Sequence, residues 1–364
     1  MKKKNVLFLL LDGIRSDRIS RCPYLTSVLK KGTYFPNMIT SAPYTLGAVH
    51  SLLTGLYPYK HGVNGYHKMF AYRKNACKHI GQYLQDAGYY TGWNMVNKNL
   101  APQEGFDSVS THDEMHDDLF SAHSSILDSV KDKPFCLLLQ YSKVHATYVN
   151  TYLKSEEDYF GNVEKNVAAY NSALDDLDSY LKKMFSYLKD TGLMEDTIVV
   201  VFSDHGTSNG EKKGEKFYGA FTYDSTIKIF CSIFMPGMQA KEIGAQVSLI
   251  DVLPTLLEEL DIAPDAGFEE IQGKSLFPFI SGTEDKDRVA FTETGGLTGP
   301  WPSPEKHNVF SMRMDGFKVV KTPDGWELYN LHKDPLELDN LASTEKKLLS
   351  MLQPLLQKHI DEMS

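Results

Sequence analysis

Three uninterrupted apolar runs organise the chain. "NVLFLLL" (5–11), "PFCLLLQYS" (134–142) and "DTIVVVFS" (196–203) show no polar alternation. That is the pattern of strands covered on both faces, as in a parallel sheet. The stretches between them carry helical spacing. Residues 75–87 close on Gly88, and residues 163–190 repeat Val167, Tyr170, Leu174, Leu177, Leu181, Phe185 and Leu188 before stopping at Gly192. Strands alternating with helices predict a doubly wound α/β sheet. A further strand is expected within "YDSTIKIFCSIFMPG" (223–237), after a long polar, Gly-rich loop over 206–219.

Ligands of such sheets gather at the carboxyl ends of the strands. The first run delivers Asp12 there, the second His145 three residues on, and the third Asp204 and His205. A lone aspartate at a strand end commonly caps a helix. Two carboxylates and a histidine converging on one rim predict instead a site for a divalent cation.

Composition changes the picture mainly by exclusion. The 364 residues are 42% hydrophobic and 23% charged, enough for a large core in one domain or two. The net charge of -9, with acids and bases interleaved, excludes the basic face of a nucleic-acid binder. Cys22, Cys77, Cys136 and Cys231 are widely spaced, without a CxxC pair. They read as buried thiols in a reducing compartment. The opening "MKKKNVLFLLLDGIRSD" imitates a secretory signal, but its apolar run ends at Asp12 and no small-residue cleavage site follows. No run approaches the ~20 apolar residues of a membrane span. A cytoplasmic location is therefore expected, and oligomeric state is left open.

The stretch "SAPYTLGAVHSLLTG" (41–55) holds the most reactive candidate. Thr45 precedes an apolar run, so it is either the N-cap of an ordinary helix or a reactive hydroxyl at a helix N-terminus. Both readings fit the fifteen residues alone.

The chain resembles the sulfatase branch of the alkaline-phosphatase superfamily from end to end. The landmarks are "DG" after the first strand, "TG" with "YPYKHGV" (57–63), "AGYYTG" (87–92) and "GFD" (105–107). They continue through "SDHG" (203–206), "MPG" (235–237), "SLIDVLPTLLEELDI" (248–262), "GKSLFPFI" (273–280) and "WELYNLHKDPLELDNLA" (326–342). The resemblance implies a mostly parallel sheet over residues 1–285 and a small antiparallel C-terminal subdomain over 286–364. It also places a nucleophile ten residues before the Gly of "TG", on Thr45. A helix N-terminus suits an anion there, because free N–H groups and the positive end of the dipole face it.

Several positions depart from the family pattern. Sulfatases carry Cys or Ser at the nucleophile, oxidised to formylglycine, with Pro two residues on and Arg four residues on. This chain has Thr45, Gly47 and Val49. Oxidation to an aldehyde needs a primary Cβ, so formylglycine is excluded at Thr45. Gly13 replaces a second aspartate, and "WNMVNKN" (93–99) replaces the sulfate-gripping Lys-Trp-His segment. A sulfo-threonine cannot shed sulfate by breaking its own C–O bond, whereas a phospho-threonine is resolved by attack at phosphorus. The expected activity is therefore that of a phosphodiesterase, phosphomonoesterase, phosphonate hydrolase or phosphotransferase. A sulfatase without formylglycine is the alternative, and an inactive binding protein a third. The substrate expected is a small-molecule or glycan-linked phosphate or sulfate ester.

The expected site has one divalent ion, Zn²⁺ or Mn²⁺ ahead of Ca²⁺ or Mg²⁺, on Asp12, Asp204, His205 and the Thr45 oxygen. His145 is the candidate acid or oxygen-binding group. Tyr218 stands where two-metal relatives have a further histidine. Lys216, Lys98 and His50 complete the candidate substrate contacts, each with a bland reading as a solvated lysine or a core histidine. "HDEMHDD" (112–118) sets His112 and His116 one turn apart, but its Glu is misplaced for HExxH and the segment reads as polar surface. His61 is expected to support the turn after the Thr45 helix. "GGLTGPWPSP" (295–304) reads as a loop overhanging the site.

Overall fold

A computed structural model describes residues 3–153 and 158–363. The apolar runs form the centre of a nine-stranded sheet. Its strands are β1 (Asn5–Leu11), β2 (Thr33–Ile39), β3 (Tyr90–Met95), β4 (Ser108–Thr111), β5 (Phe135–Tyr141) and β6 (Thr197–Phe202). A two-stranded hairpin, β7 (Ser208–Asn209) with β8 (Lys216–Phe217), follows outside it. The large sheet is completed by β9 (Lys228–Phe234), β10 (Lys241–Glu242) and β11 (Val247–Ser248). Strand order is β10-β2-β9-β6-β1-β5-β3-β4, with β11 also on β2. β1 lies parallel between β5 and β6, and β9 runs antiparallel to both β6 and β2. Every residue of β1, β5 and β6 is buried, because helices cover both faces. Two cores result, one on each face of the sheet.

The C-terminal region forms a four-stranded antiparallel sheet of β12 (Ala290–Thr294), β13 (Val309–Met314), β14 (Phe317–Thr322) and β15 (Gly325–Asn330). The helix Lys346–Asp361 packs on it through Leu356. No helix among the described residues is long and apolar enough to cross a membrane. The four cysteines are buried free thiols.

Two helix predictions need correction. The helix expected over 75–87 begins only at Ile80. The Ala76 carbonyl, which an earlier start would give to Ile80, instead accepts the Glu269 N–H at 2.7 Å. The pattern over 163–190 divides into Val163–Ser172 and Leu177–Asp190. Tight i,i+3 bonds, Leu174 to Asn171 and Leu177 to Leu174, overwind the chain between them while keeping both leucines buried.

Candidate active site

The register of the three central strands brings their carboxyl ends level. Leu11 pairs with Tyr141, Leu10 pairs with Phe202, and the Asp12 N–H bonds the Tyr141 carbonyl at 3.0 Å. Asp12, Asp204 and His205 therefore leave the sheet side by side, and all three are buried. One donor atom from each lies within 4.8 Å of the others. His205 Nε2 is 3.6 Å from Asp12 Oδ1 and 3.6 Å from Asp204 Oδ2. His205 Nδ1 bonds the Gly206 carbonyl at 2.8 Å, which assigns the proton to Nδ1 and leaves Nε2 as a lone pair facing the carboxylates.

The donor set fits a divalent cation. Asp204 Oδ1 accepts the N–H groups of Gly13 and His205, but its buried Oδ2 has no hydrogen-bond donor. Burial and the neighbouring Asp204 carboxylate push the Asp12 carboxyl up to about 7, against the lowering by His205, His145 and Gln140. Two carboxylates and an imidazole lone pair turned on one point leave negative potential that a cation would neutralise.

Thr45 completes the group. The helix Thr45–Thr54 starts at this residue, and the preceding Tyr44, extended at φ -161 and ψ 149, is its N-cap. The cap reading of Thr45 is thus corrected: its side chain is free to turn outward, and Oγ1 meets His205 Nε2 at 3.2 Å. Thr45 is also the one residue of 41–50 that is not buried. The first-turn N–H groups beside it have no acceptor within the helix, as at any helix start.

The two substitutions nearest the site have local causes. Gly13 sits at φ +70, and a Cβ there would lie 2.9 Å from Thr207 Oγ1. At Gly47 a Cβ would lie 2.6 Å from the Ala42 Cβ and 3.2 Å from the Tyr44 ring. Neither position has room for a side chain in this backbone.

His145 stands at the start of a wide turn, in which the Asn150 N–H bonds the His145 carbonyl five residues back. Its Nδ1 is 3.0 Å from Glu114 Oε2. Burial pulls its pKa down, but the bond to Glu114 and the charges of Asp12, Glu114 and Asp204 outweigh that and hold it above the ordinary histidine value. Tyr218 bridges the two histidines, its ring centroid 4.4 Å from that of His205 and 6.4 Å from that of His145. It is aimed by Phe217, a buried bulky residue at φ 65, a conformation that costs about 1–3 kcal/mol and marks functional sites. Thr298 of the 295–304 loop bonds the carbonyls of Lys216 and Tyr218, so that loop does lie over this strand.

Other candidates lie apart from the cluster. His50 donates from Nδ1 to the Leu46 carbonyl and stacks near His61 and Tyr72, where burial lowers its pKa to about 4. Lys98 is exposed after β3, and its ammonium has no partner among the described residues. The Lys216 ammonium sits 5.6 Å from the Tyr159 ring centroid and 5.3 Å from that of Phe217. His61 bonds Ser51 and the Val63 N–H, supporting the turn. The surface reading of 112–118 holds for exposed His116 but not for His112, which is buried between Asn94 and Ser142.

Three contributors escaped the sequence reading. Glu114 holds His145. Gln140, the lone polar side chain inside an apolar strand, donates to Asp12 Oδ2 at 2.6 Å and accepts the Val96 N–H at 2.8 Å. His307 bonds the Tyr44 hydroxyl on one side and lies 3.3 Å from Glu293 on the other, tying the N-cap to the C-terminal sheet.

This sheet, its Asp–Asp–His rim and the threonine on the adjoining helix define an alkaline-phosphatase-superfamily architecture. The family described as "Sulfatase" matches residues 4–262, and that described as "N-sulphoglucosamine sulphohydrolase, C-terminal" matches 214–364. The chain belongs to the sulfatase family. Arylsulfatase K of Bos taurus is 28% identical over 285 residues, covering 75% of this chain and 50% of the relative. The Danio rerio arylsulfatase K is 28% identical over 236 residues, covering 61% and 43%. The chain thus spans about half the length of the curated relatives it matches. Among solved structures, a 2-O GAG sulfatase superposes with a TM-score of 0.77 at 19% identity, covering 100% of this chain and 93% of that one.

These relatives overturn the expected preference for phosphate esters, since they carry arylsulfatase and glycan-sulfatase names. The faulty step was physical. A missing primary Cβ excludes formylglycine, but it leaves displacement at sulfur open.

Proposed function

We propose that the chain hydrolyses sulfuric esters of small molecules or glycans without formylglycine, with Thr45 as nucleophile. The observation that carries this reading is the partly open Thr45 hydroxyl 3.2 Å from His205 Nε2, beside the buried Asp12 and Asp204. Residues 1–285 supply the catalytic groups and residues 286–364 brace them. Asp12, Asp204, His205 and Thr45 would hold one divalent cation, Zn²⁺ or Mn²⁺ by its mixed oxygen and nitrogen donors. When bound, it would lower the pKa of the hydroxyl and polarise a sulfate oxygen.

Thr45, its proton released to solvent, attacks sulfur. The Thr45 Oγ1–S bond forms as the bond from sulfur to the leaving oxygen breaks. His145, kept protonated by Glu114, gives its proton to that oxygen. The first-turn N–H groups of the Thr45 helix face the charge on the sulfate oxygens. Water then attacks sulfur, His145 takes one of its protons, and sulfate leaves with the Thr45 oxygen restored. The second step must break S–O, because the threonine carbon carries no hydroxyl through which a C–O exit could run.

The test is turnover of 4-nitrophenyl sulfate by the wild type and Thr45→Ala, with mass spectrometry for a sulfo adduct on the Thr45 peptide in His145→Ala. Loss of turnover in Thr45→Ala and an adduct in His145→Ala are expected. Undiminished activity in Thr45→Ala would overturn the nucleophile, and absence of turnover of any aryl sulfate by metal-loaded protein would overturn the activity.

A further inference from the structure

A second cavity, of about 490 Å³, opens behind the metal-binding loop, between the large sheet and the C-terminal region. Its volume is within the range of small-molecule pockets. Arg15, Tyr34, Ser225, Lys228, Arg313 and Leu331 are among its walls. It backs directly on the site. A Cβ on Gly206 would lie 2.2 Å from the Ser225 carbonyl and 3.3 Å from Arg15 Cγ, and the Gly206 N–H bonds the Thr226 carbonyl at 2.8 Å.

The charges lining this cavity are unevenly satisfied. Each carboxylate has a cationic partner: Asp17 and Glu211 bind Arg15, Asp224 binds Arg313 and Lys318, and Glu337 binds Lys318 at 2.6 Å. The donors are left over. Arg313 is 8% exposed and meets Asp224 through Nη1 at 3.2 Å, while its buried Nε has no partner. The buried Ser225 Oγ has none either. The half-buried Lys228 ammonium has no hydrogen bond or ion pair among the described residues, and burial lowers its pKa. A buried donor without an acceptor costs about 1–3 kcal/mol, more when charged. Three such donors around one cavity ask for an anion.

We propose that this cavity is a second binding site, for a small organic molecule bearing a tetrahedral oxyanion. Lys228, Arg313 and Ser225 hold the oxyanion, and Tyr34 and Leu331 flank the organic part. Sulfate esters and phosphate esters share this chemistry, and the two sources are separated by experiment. The site is independent of catalysis at Thr45 and stands whichever ester the enzyme cleaves.

Equilibrium dialysis with radiolabelled inorganic sulfate tests it, on the wild type, Asp12→Asn, and Asp12→Asn combined with Lys228→Met or with Ser225→Ala. Asp12→Asn should retain one bound sulfate per chain. Its affinity should fall tenfold or more with Lys228→Met and several-fold with Ser225→Ala, a change small enough to leave the fold intact. Competition by glucose 6-sulfate and by glucose 6-phosphate identifies which ester the pocket prefers. In the otherwise native chain, Lys228→Met should leave 4-nitrophenyl sulfate turnover within twofold. Failure of Asp12→Asn to bind sulfate, or binding unaffected by both second substitutions, would overturn the proposal. Neither result would bear on Thr45.

Discussion

Gln140→Met is the substitution whose cost can be worked most directly. The side chain is fully buried on β5, donates to Asp12 Oδ2 at 2.6 Å and accepts the Val96 N–H at 2.8 Å. Methionine fills nearly the same volume, so the packing cost is small. Both polar partners stay behind. Losing a hydrogen bond to a carboxylate costs about 1.5–3 kcal/mol, and an orphaned buried N–H costs about 1–3 kcal/mol more. The sum is roughly 3–5 kcal/mol, a large fraction of a typical domain's stability. Urea unfolding followed by circular dichroism should show a lower midpoint at unchanged slope. Metal affinity should fall about 10–100-fold, because the ligand loses the group that orients it. A loss of stability under about 1 kcal/mol, together with unchanged metal affinity, would refute both the geometry and its assigned role.

Three further outcomes are expected. Thr45→Ala should abolish aryl sulfate turnover yet shift stability by less than about 0.5 kcal/mol, since Tyr44 caps the helix and no cap is lost; a thermal melt checks this. Glu114→Gln should move the alkaline limb of the pH–rate profile to lower pH. Glu114 raises the His145 pKa, protonated His145 is the acid, and activity falls as pH rises through that pKa. Gly47→Ala should destabilise by about 1–3 kcal/mol, measured by urea unfolding, because its Cβ would meet Ala42 and the Tyr44 ring.

The sequence made some parts of this protein legible and hid others for physical reasons. Strands buried on both faces announce themselves as apolar runs, and residues just past their ends have one place to go. Asp12, Asp204 and His205 were readable on that ground. Helix boundaries were less so, because the Ala76 carbonyl is taken by a residue far along the chain. Gln140 was visible only as a polar letter in an apolar strand, and Glu114 only inside a segment that reads as surface. Nothing local links His307 or Glu293 to Tyr44, since their contact exists only once two sheets have packed. Substrate was the least legible. One methyl group on Thr45 decides against an aldehyde, but it says little about which ester approaches.

The grip of β12 on the Thr45 segment also sets an order of events during synthesis. Thr292 Oγ1 bonds the Thr40 carbonyl at 2.6 Å, and the Glu293 N–H bonds that of Ser41 at 3.0 Å. The threonine is among the earliest residues to leave the ribosome, yet the strand that seats it emerges only when four-fifths of the chain has been made. Chains cut short before β12 would carry every cluster residue and still lack a seated hydroxyl. Competence at this site therefore reports that translation has nearly finished.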